Sequence, residues 1–184
     1  MRAAVFLDRD GVLIENRPDF LKDWAEVEFL PGALEALARL ADSPLAVVIV
    51  SNQAAVGRGF LELATAWELH RRIVAEIQRH GGRIDASYLC PHRPEDGCLC
   101  RKPAPGMIRQ AARDLRLDLA ASWLVGDSLR DLEAGRAAGV RGILVSTGHG
   151  AEEQSLMPPE MRGLWPAVAD LPAAVERILA ARAS

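Results

Sequence analysis

Residues 3–11 read Ala3-Ala4-Val5-Phe6-Leu7-Asp8-Arg9-Asp10-Gly11, an apolar run that ends abruptly in charge and a glycine. Short apolar runs without polar alternation suit strands buried on both faces of a parallel sheet. Similar runs recur at residues 45–50, 86–89, 123–125 and 142–145. Helical patterns lie between them. Residues 31–40 carry Leu34, Leu37 and Leu40, with Pro31 near the first turn, and residues 61–80 carry Leu69, Ile73 and Ile77. Residues 106–117, 130–138 and 171–183 are further candidates. Alternating strand and helix predict a doubly wound, Rossmann-like α/β parallel sheet, with residues 1–184 as one domain. Such sheets bind ligands beyond the carboxyl ends of their strands. The polar residues that close each run are therefore where chemistry is expected.

Composition narrows the classes. The chain has 184 residues, Lys plus Arg of 22 against Asp plus Glu of 25, and a formal charge of −3. Nucleic-acid binders normally carry a basic excess, so that class is disfavoured. Aromatics are 5%, too few for base-stacking platforms. Hydrophobic residues are 49%, a globular balance. The cleanest apolar stretch, residues 45–50, is far short of the roughly 20 residues that cross a bilayer. A cytoplasmic monomer is expected, with no membrane or nucleic-acid partner.

The first run closes on Asp8 and Asp10. Side chains two apart in an extended segment point the same way, so both carboxylates face one site while Arg9 points elsewhere. Gly11 allows a sharp turn and a close approach to a ligand. Adjacent carboxylates repel unless a cation sits between them or one is protonated. Magnesium takes oxygen ligands and bridges carboxylates to phosphate oxygens. One carboxylate can attack phosphorus while the other supplies a proton to the leaving oxygen. The competing structural use of such a motif is a solvated turn.

The second run closes on Ser51, Asn52 and Gln53, a hydroxyl and amides able to donate to phosphate oxygens. Taken alone, Ser51 reads equally as a turn residue. Gly57-Arg58-Gly59 lacks the Lys-Ser/Thr of a phosphate loop and reads as loop flexibility. The fourth run closes on Asp127 and Ser128, followed by Asp131; these suit helix caps and first-turn positions as well as a ligand site. Arg101 and Lys102 form a basic pair, of a type suited to phosphate but more often merely solvated.

Cys90, Cys98 and Cys100 crowd one short loop with His92, and no other cysteine exists in the chain. An odd, clustered set argues against a disulfide framework. Three thiolates and one imidazole make a closed structural zinc set. The loop runs directly into Arg101 and Lys102, so zinc is expected to fix those cations toward the site. His70 and His80 fall on a helical pattern and His149 in a Thr147-Gly148-His149-Gly150 turn; none pairs with a cysteine or a serine–acid set.

The order of these motifs, from Asp8-Arg9-Asp10-Gly11 through Ser51-Asn52-Gln53 and Arg101-Lys102-Pro103 to Gly126-Asp127 with Asp131 four residues on, resembles the haloacid-dehalogenase-like (HAD-like) phosphatase superfamily over residues 3–139. The resemblance implies Asp8 as nucleophile and Asp10 as general acid/base. It implies Ser51 and Lys102 on the phosphoryl group, and magnesium on Asp8, Asp127 and the Asp10 main-chain carbonyl. The combination with the cysteine loop and Ala104-Pro105-Gly106-Met107 is similar to a capless bacterial branch acting on D-glycero-D-manno-heptose 1,7-bisphosphate. That branch removes the C7 phosphate through an aspartyl-phosphate, in ADP- or GDP-heptose supply for surface glycans including lipopolysaccharide. The likeness implies Arg101 as a contact to the substrate's phosphate or sugar and Asn52, Gln53 and Ala54 as pocket wall. Asn16, Arg17, Pro18 and Asp19 would form a flap near the substrate. Ser128 stands where many relatives of that branch carry Lys. The alternatives are a histidinol-phosphate phosphatase and a noncatalytic zinc-stabilised binding module.

Overall fold

The computed structural model describes residues 1–183. Its strands are β1 (Ala4–Leu7), β2 (Ala46–Asn52), β3 (Ala86–Cys90), β4 (Trp123–Gly126), β5 (Arg141–Val145) and β6 (Ala167–Val168). Its α-helices are α1 (Ala33–Ala41), α2 (Ala54–Gly57), α3 (Leu63–Arg79), α4 (Gly106–Leu115), α5 (Leu129–Ala138), α6 (Gly150–Leu156) and α7 (Leu171–Ala183). The strands form one sheet in the order β3-β2-β1-β4-β5-β6, every pairing parallel.

Side chains alternate across the sheet, which divides the core in two. Val5, Leu7, Val47, Ile49, Val125 and Ile143 face α1, α3 and α7. Ala4, Phe6, Val48, Val50, Leu124 and Leu144 face α4 and α5. The helical stripes behave as their spacing requires: Leu69, Ile73 and Ile77 of α3 and Leu37 and Leu40 of α1 are buried, whereas Leu34 is only half-buried. Truncating Leu37 or Ile73 to alanine is expected to cost about 2–5 kcal/mol.

Several bounds differ from the sequence expectation. α1 starts after Gly32, whose left-handed φ of 73° cannot continue from Pro31 as helix. The pattern over 61–80 begins only at Leu63, and Gly57, assigned to a flexible loop, closes the separate short helix α2. α6 and β6 were not anticipated: β6 has two residues, and α6 buries only Gly150. Among the described residues no helix is long and apolar enough to cross a membrane.

Candidate active site

β1 and β4 are neighbours in the sheet, and the chain winds outward from them in opposite directions. Loops leaving the strands part at such a switch point and open a cleft. Asp8 follows β1 and Asp127 follows β4; the Asp8 N–H donates to the Val125 carbonyl at 3.0 Å. Carboxylate oxygens of Asp8, Asp127 and Asp131 all lie within 4.8 Å of one another.

Lys102 answers part of that charge. Its Nζ lies 2.9 Å from Asp8 Oδ1 and 2.6 Å from Asp131 Oδ1. It also donates to the Val50 carbonyl at 2.8 Å, and the residue is 2% exposed. Asn52, at the end of β2, clasps the Lys102 main chain, donating to its carbonyl and accepting from its N–H, both at 3.1 Å. Burial opposes the Lys102 charge, but Asp131 and Asp8 outweigh it and hold the ammonium above its ordinary pKa.

The carboxylates still exceed the cation. Burial pushes the Asp8 carboxyl up to about 8; Lys102 opposes this, while Asp131, Asp127 and Asp10 reinforce it. Burial likewise raises Asp127, to about 6, aided by Asp131 and opposed by the His149 backbone N–H and Lys102. Either retained protons or a divalent cation relieves the repulsion. Clustered carboxylate oxygens are the donors magnesium takes, so Asp8 and Asp127, with Asp131 beside them, fit that ion.

Asp127 is held by its surroundings as well. Asn16 Nδ2 and the His149 N–H each donate to its Oδ2 at 2.9 Å. Gly11 and Gly148 sit at φ +82° and +57°, and a Cβ would lie 2.1 and 2.2 Å from that same oxygen. Any larger residue at either position would displace the carboxylate, so here glycine is demanded by close approach as well as by backbone conformation.

Asp10 is engaged on both oxygens. Gln53 Nε2 donates to Oδ2 at 2.8 Å, and the Ser51 hydroxyl is 3.4 Å from the same atom. Arg9 Nε and Nη2 reach Oδ1 at 3.2 and 2.9 Å. This corrects the expectation that Arg9 points elsewhere: its backbone continues the Val5–Leu7 face, yet the long buried side chain returns to Asp10. The Arg9 charge also bears on His70 of α3, which is buried and whose ring nitrogens have no partner among the described residues.

A cleft of about 300 Å³ opens beside Asp10, lined by Asn16, Arg17, Pro18, Asn52, Gln53 and Ala54, among others. Two expected flap contacts are otherwise engaged. Arg17 donates to the Glu26 carbonyl at 2.8 Å and pairs with Glu28 at 2.6 Å. Asp19 pairs with Lys22 at 2.8 Å and does not line this cleft. Ser128 lines the carboxylate cleft, but its hydroxyl donates to Asp131 at 2.8 Å as the cap of α5.

In the cysteine loop, sulfur–sulfur distances are 3.6 Å for Cys90–Cys98, 3.2 Å for Cys90–Cys100 and 3.4 Å for Cys98–Cys100. His92 Nδ1 lies 3.2 Å from Cys100 and 3.6 Å from Cys90. Tetrahedral Zn–S bonds of about 2.3 Å set sulfurs roughly 3.7 Å apart, so the four donors fit zinc. Burial pushes the Cys90 thiol up. Burial acts upward on Cys98 too, but the Arg101 backbone N–H and the Cys100 and Cys90 thiols bring it down to about 7. Arg101 Nη1 donates to the His92 carbonyl at 3.1 Å, tying it to the loop.

Three residues at the carboxylate cleft lie outside the site expected from sequence, Arg130, His149 and Glu153, and a fourth, Asp131, was open to both a helix-cap and a ligand-site reading. Asp131 looked like a first-turn acid, and it is one, since it closes the Ser128 capping box. Only the fold shows its second partner, Lys102. His149 and Arg130 carry no local motif.

A HAD-hydrolase-like family profile matches residues 99–171. A D-glycero-beta-D-manno-heptose-1,7-bisphosphate 7-phosphatase of Pseudomonas aeruginosa is 40% identical over 159 residues, covering 86% of this chain and 89% of that protein. One of Bordetella bronchiseptica is 45% identical over 146 residues, covering 79% and 82%. Among solved structures, the D,D-heptose 1,7-bisphosphate phosphatase of B. bronchiseptica complexed with magnesium and phosphate aligns with a TM-score of 0.90 at 40% identity, over 98% of this chain and 99% of that one. The corresponding phosphatase of Burkholderia thailandensis aligns with a TM-score of 0.72 at 33% identity, over 97% and 99%.

Proposed function

The chain belongs to the D-glycero-beta-D-manno-heptose-1,7-bisphosphate 7-phosphatase family of HAD-like hydrolases, and from that premise we propose that it removes the C7 phosphate of this sugar bisphosphate through an aspartyl-phosphate. The observation that carries the reading is the buried Lys102 ammonium 2.9 Å from the Asp8 carboxylate at the switch point. A nucleophile beside a fixed cation suits an incoming phosphoryl group, whose charge that cation offsets.

Asp8 attacks phosphorus, and the bond from phosphorus to the sugar C7 oxygen breaks. Asp10 gives the departing oxygen its proton. Asp10 then takes a proton from water as that water attacks the aspartyl-phosphate, which frees Asp8 and releases inorganic phosphate. Arg9 and Gln53 orient the Asp10 carboxyl for both transfers. Lys102 and Ser51 steady the phosphoryl oxygens. Asn16, Pro18, Asn52, Gln53 and Ala54 wall the sugar, and Arg101 contacts the substrate's phosphate or sugar.

Asp8, Asp127 and the main-chain carbonyl of Asp10 would hold magnesium, which when bound offsets the charge of the carboxylates and the phosphoryl oxygens. Cys90, His92, Cys98 and Cys100 would hold zinc in a structural role, since all four tetrahedral positions are filled by protein. Reduced thiols on a metal loop suit the cytoplasm. The proposed product, a heptose 1-phosphate, would serve ADP- or GDP-heptose synthesis for surface glycans.

The experiment is phosphate release from heptose 1,7-bisphosphate and from histidinol phosphate, by the unmodified enzyme and by Asp8→Asn. The expected result is preference for the bisphosphate and a loss of at least ~10³-fold in Asp8→Asn, which has no substitute nucleophile. Near-native turnover by Asp8→Asn would overturn the covalent route. Faster hydrolysis of histidinol phosphate would overturn the substrate.

A further inference from the structure

We propose that Arg130 is a specificity-determining residue, which with Arg101 holds the phosphate of the bisphosphate that is not transferred. The inference rests on the substrate reading above and names the residue that would select for a second phosphate.

Two clefts meet at Lys102. The one of about 230 Å³ contains Asp8, Asp127 and Asp131. Its neighbour, of about 320 Å³, contains Arg101, Lys102 and Arg130, and among the described residues no carboxylate lines it. All three of those cations line both clefts. An anion in the second space would therefore sit against positive charge, one step from the carboxylates where the chemistry is proposed.

The cations are not equivalent. Lys102 is 2% exposed and held at the reacting end by Asp8, Asp131 and the Val50 carbonyl, so its charge is committed to the transferred phosphoryl group. Arg101 spends Nη1 on the His92 carbonyl, and among the described residues no carboxylate pairs with it. Arg130 is exposed, and among the described residues its side chain has no hydrogen bond or ion pair. Its sequence neighbour Asp131 is turned inward to Lys102 and Ser128. Glu153, the carboxylate that reaches the same rim from α6, accepts from the Leu129 N–H at 3.0 Å. Arg17, the cation of the expected flap, is already paired with Glu28 at 2.6 Å.

Two guanidinium forks with free N–H groups match the oxygens of a phosphate monoester dianion, which they can grip bidentately. They would repel histidinol phosphate, which presents an amine and an imidazole at the remote end. The same pair thus favours one candidate substrate and disfavours the other.

The test compares kcat/KM of the metal-loaded enzyme on heptose 1,7-bisphosphate and on heptose 7-phosphate, for the unmodified chain, Arg130→Ala and Arg130→Lys. Arg130→Ala should lose about 10–100-fold on the bisphosphate, chiefly through KM, and at least about tenfold less on the monophosphate. Arg130→Lys, which keeps the charge but not the fork, should recover part of the loss. Equal effects on both substrates, or none on either, would overturn the inference while the proposed activity stood. An unmodified enzyme inactive on the bisphosphate would overturn the substrate reading and this inference together.

Discussion

Asp131 Oδ1 lies 2.6 Å from Lys102 Nζ, and the two side chains are 1% and 2% exposed. The same aspartate accepts from the Ser128 hydroxyl and N–H, at 2.8 and 3.1 Å. One residue therefore caps α5 and fixes the cation of the site. Asp131→Asn removes a buried charge partner, a change that typically costs 3–5 kcal/mol. We expect about 3 kcal/mol, because Asp8 and the Val50 carbonyl remain on the ammonium. Denaturant unfolding checks the stability, and kcat should fall with it as Lys102 loses its fixed position. An Asp131→Asn variant with native stability and native kcat would contradict this role.

Stability and metal binding should depend on pH through Asp8. Its folded pKa is raised from 3.8 to about 8, so the folded state holds the proton more tightly than the unfolded chain. The stability this carboxyl contributes is complete below about pH 4 and is lost as pH rises through about 8. Magnesium bound at this carboxyl would compete with that proton. Its stabilising effect should therefore grow across pH 6 to 8.5, with proton uptake by buffer on binding. Thermal melts with and without magnesium at each pH decide it, and a shift independent of pH would refute it.

Zinc at Cys90, His92, Cys98 and Cys100 should copurify and withstand mild chelation that removes magnesium. Cys98→Ser should lower Tm by about 5–10 °C, since each kcal/mol moves a domain this size by roughly 2–4 °C. KM should rise as well, because the loop presents Arg101 through the His92 carbonyl. Metal analysis that finds no zinc in the unmodified protein would dismiss the assignment.

His70 is a buried residue of α3, and among the described residues neither ring nitrogen has a partner. Burial first, and the Arg9 charge second, lower its pKa from 6.5 to about 4, against a smaller opposing effect of Asp10. Below pH 6.5 the unfolded chain takes a proton that the folded one refuses, so stability falls as pH drops toward 4. His70→Leu removes that penalty along with an unpaired polar ring. Its stability should match or exceed the parent at pH 7 and exceed it by about 2–3 kcal/mol near pH 4.5. Parallel urea titrations at the two pH values check this, and a variant as acid-sensitive as the parent would rule it out.

The amino-acid sequence by itself determined the class of fold and most of the polar cast. Period and run length are local properties, so the apolar runs ending at Leu7, Val50 and Val125 and the stripe of Leu69, Ile73 and Ile77 were legible without coordinates. So was the metal loop, because Cys90, His92, Cys98 and Cys100 are close in the chain. Strand bounds were legible to within a residue or two, whereas β6 and α6 were not, being too short or too exposed to leave a pattern. Tertiary structure alone decided the pairings across long stretches of chain. Lys102 meets Asp8 and Asp131, and Asn16 and His149 converge on Asp127. It also decided which charges are spent and which are free: Arg17 is neutralised within the flap while Arg130 is left at the cleft. The physical reason is that a side chain's type follows from its codon, but its partner depends on which strands become neighbours. That was settled by burial of the two core faces, far from the charges concerned.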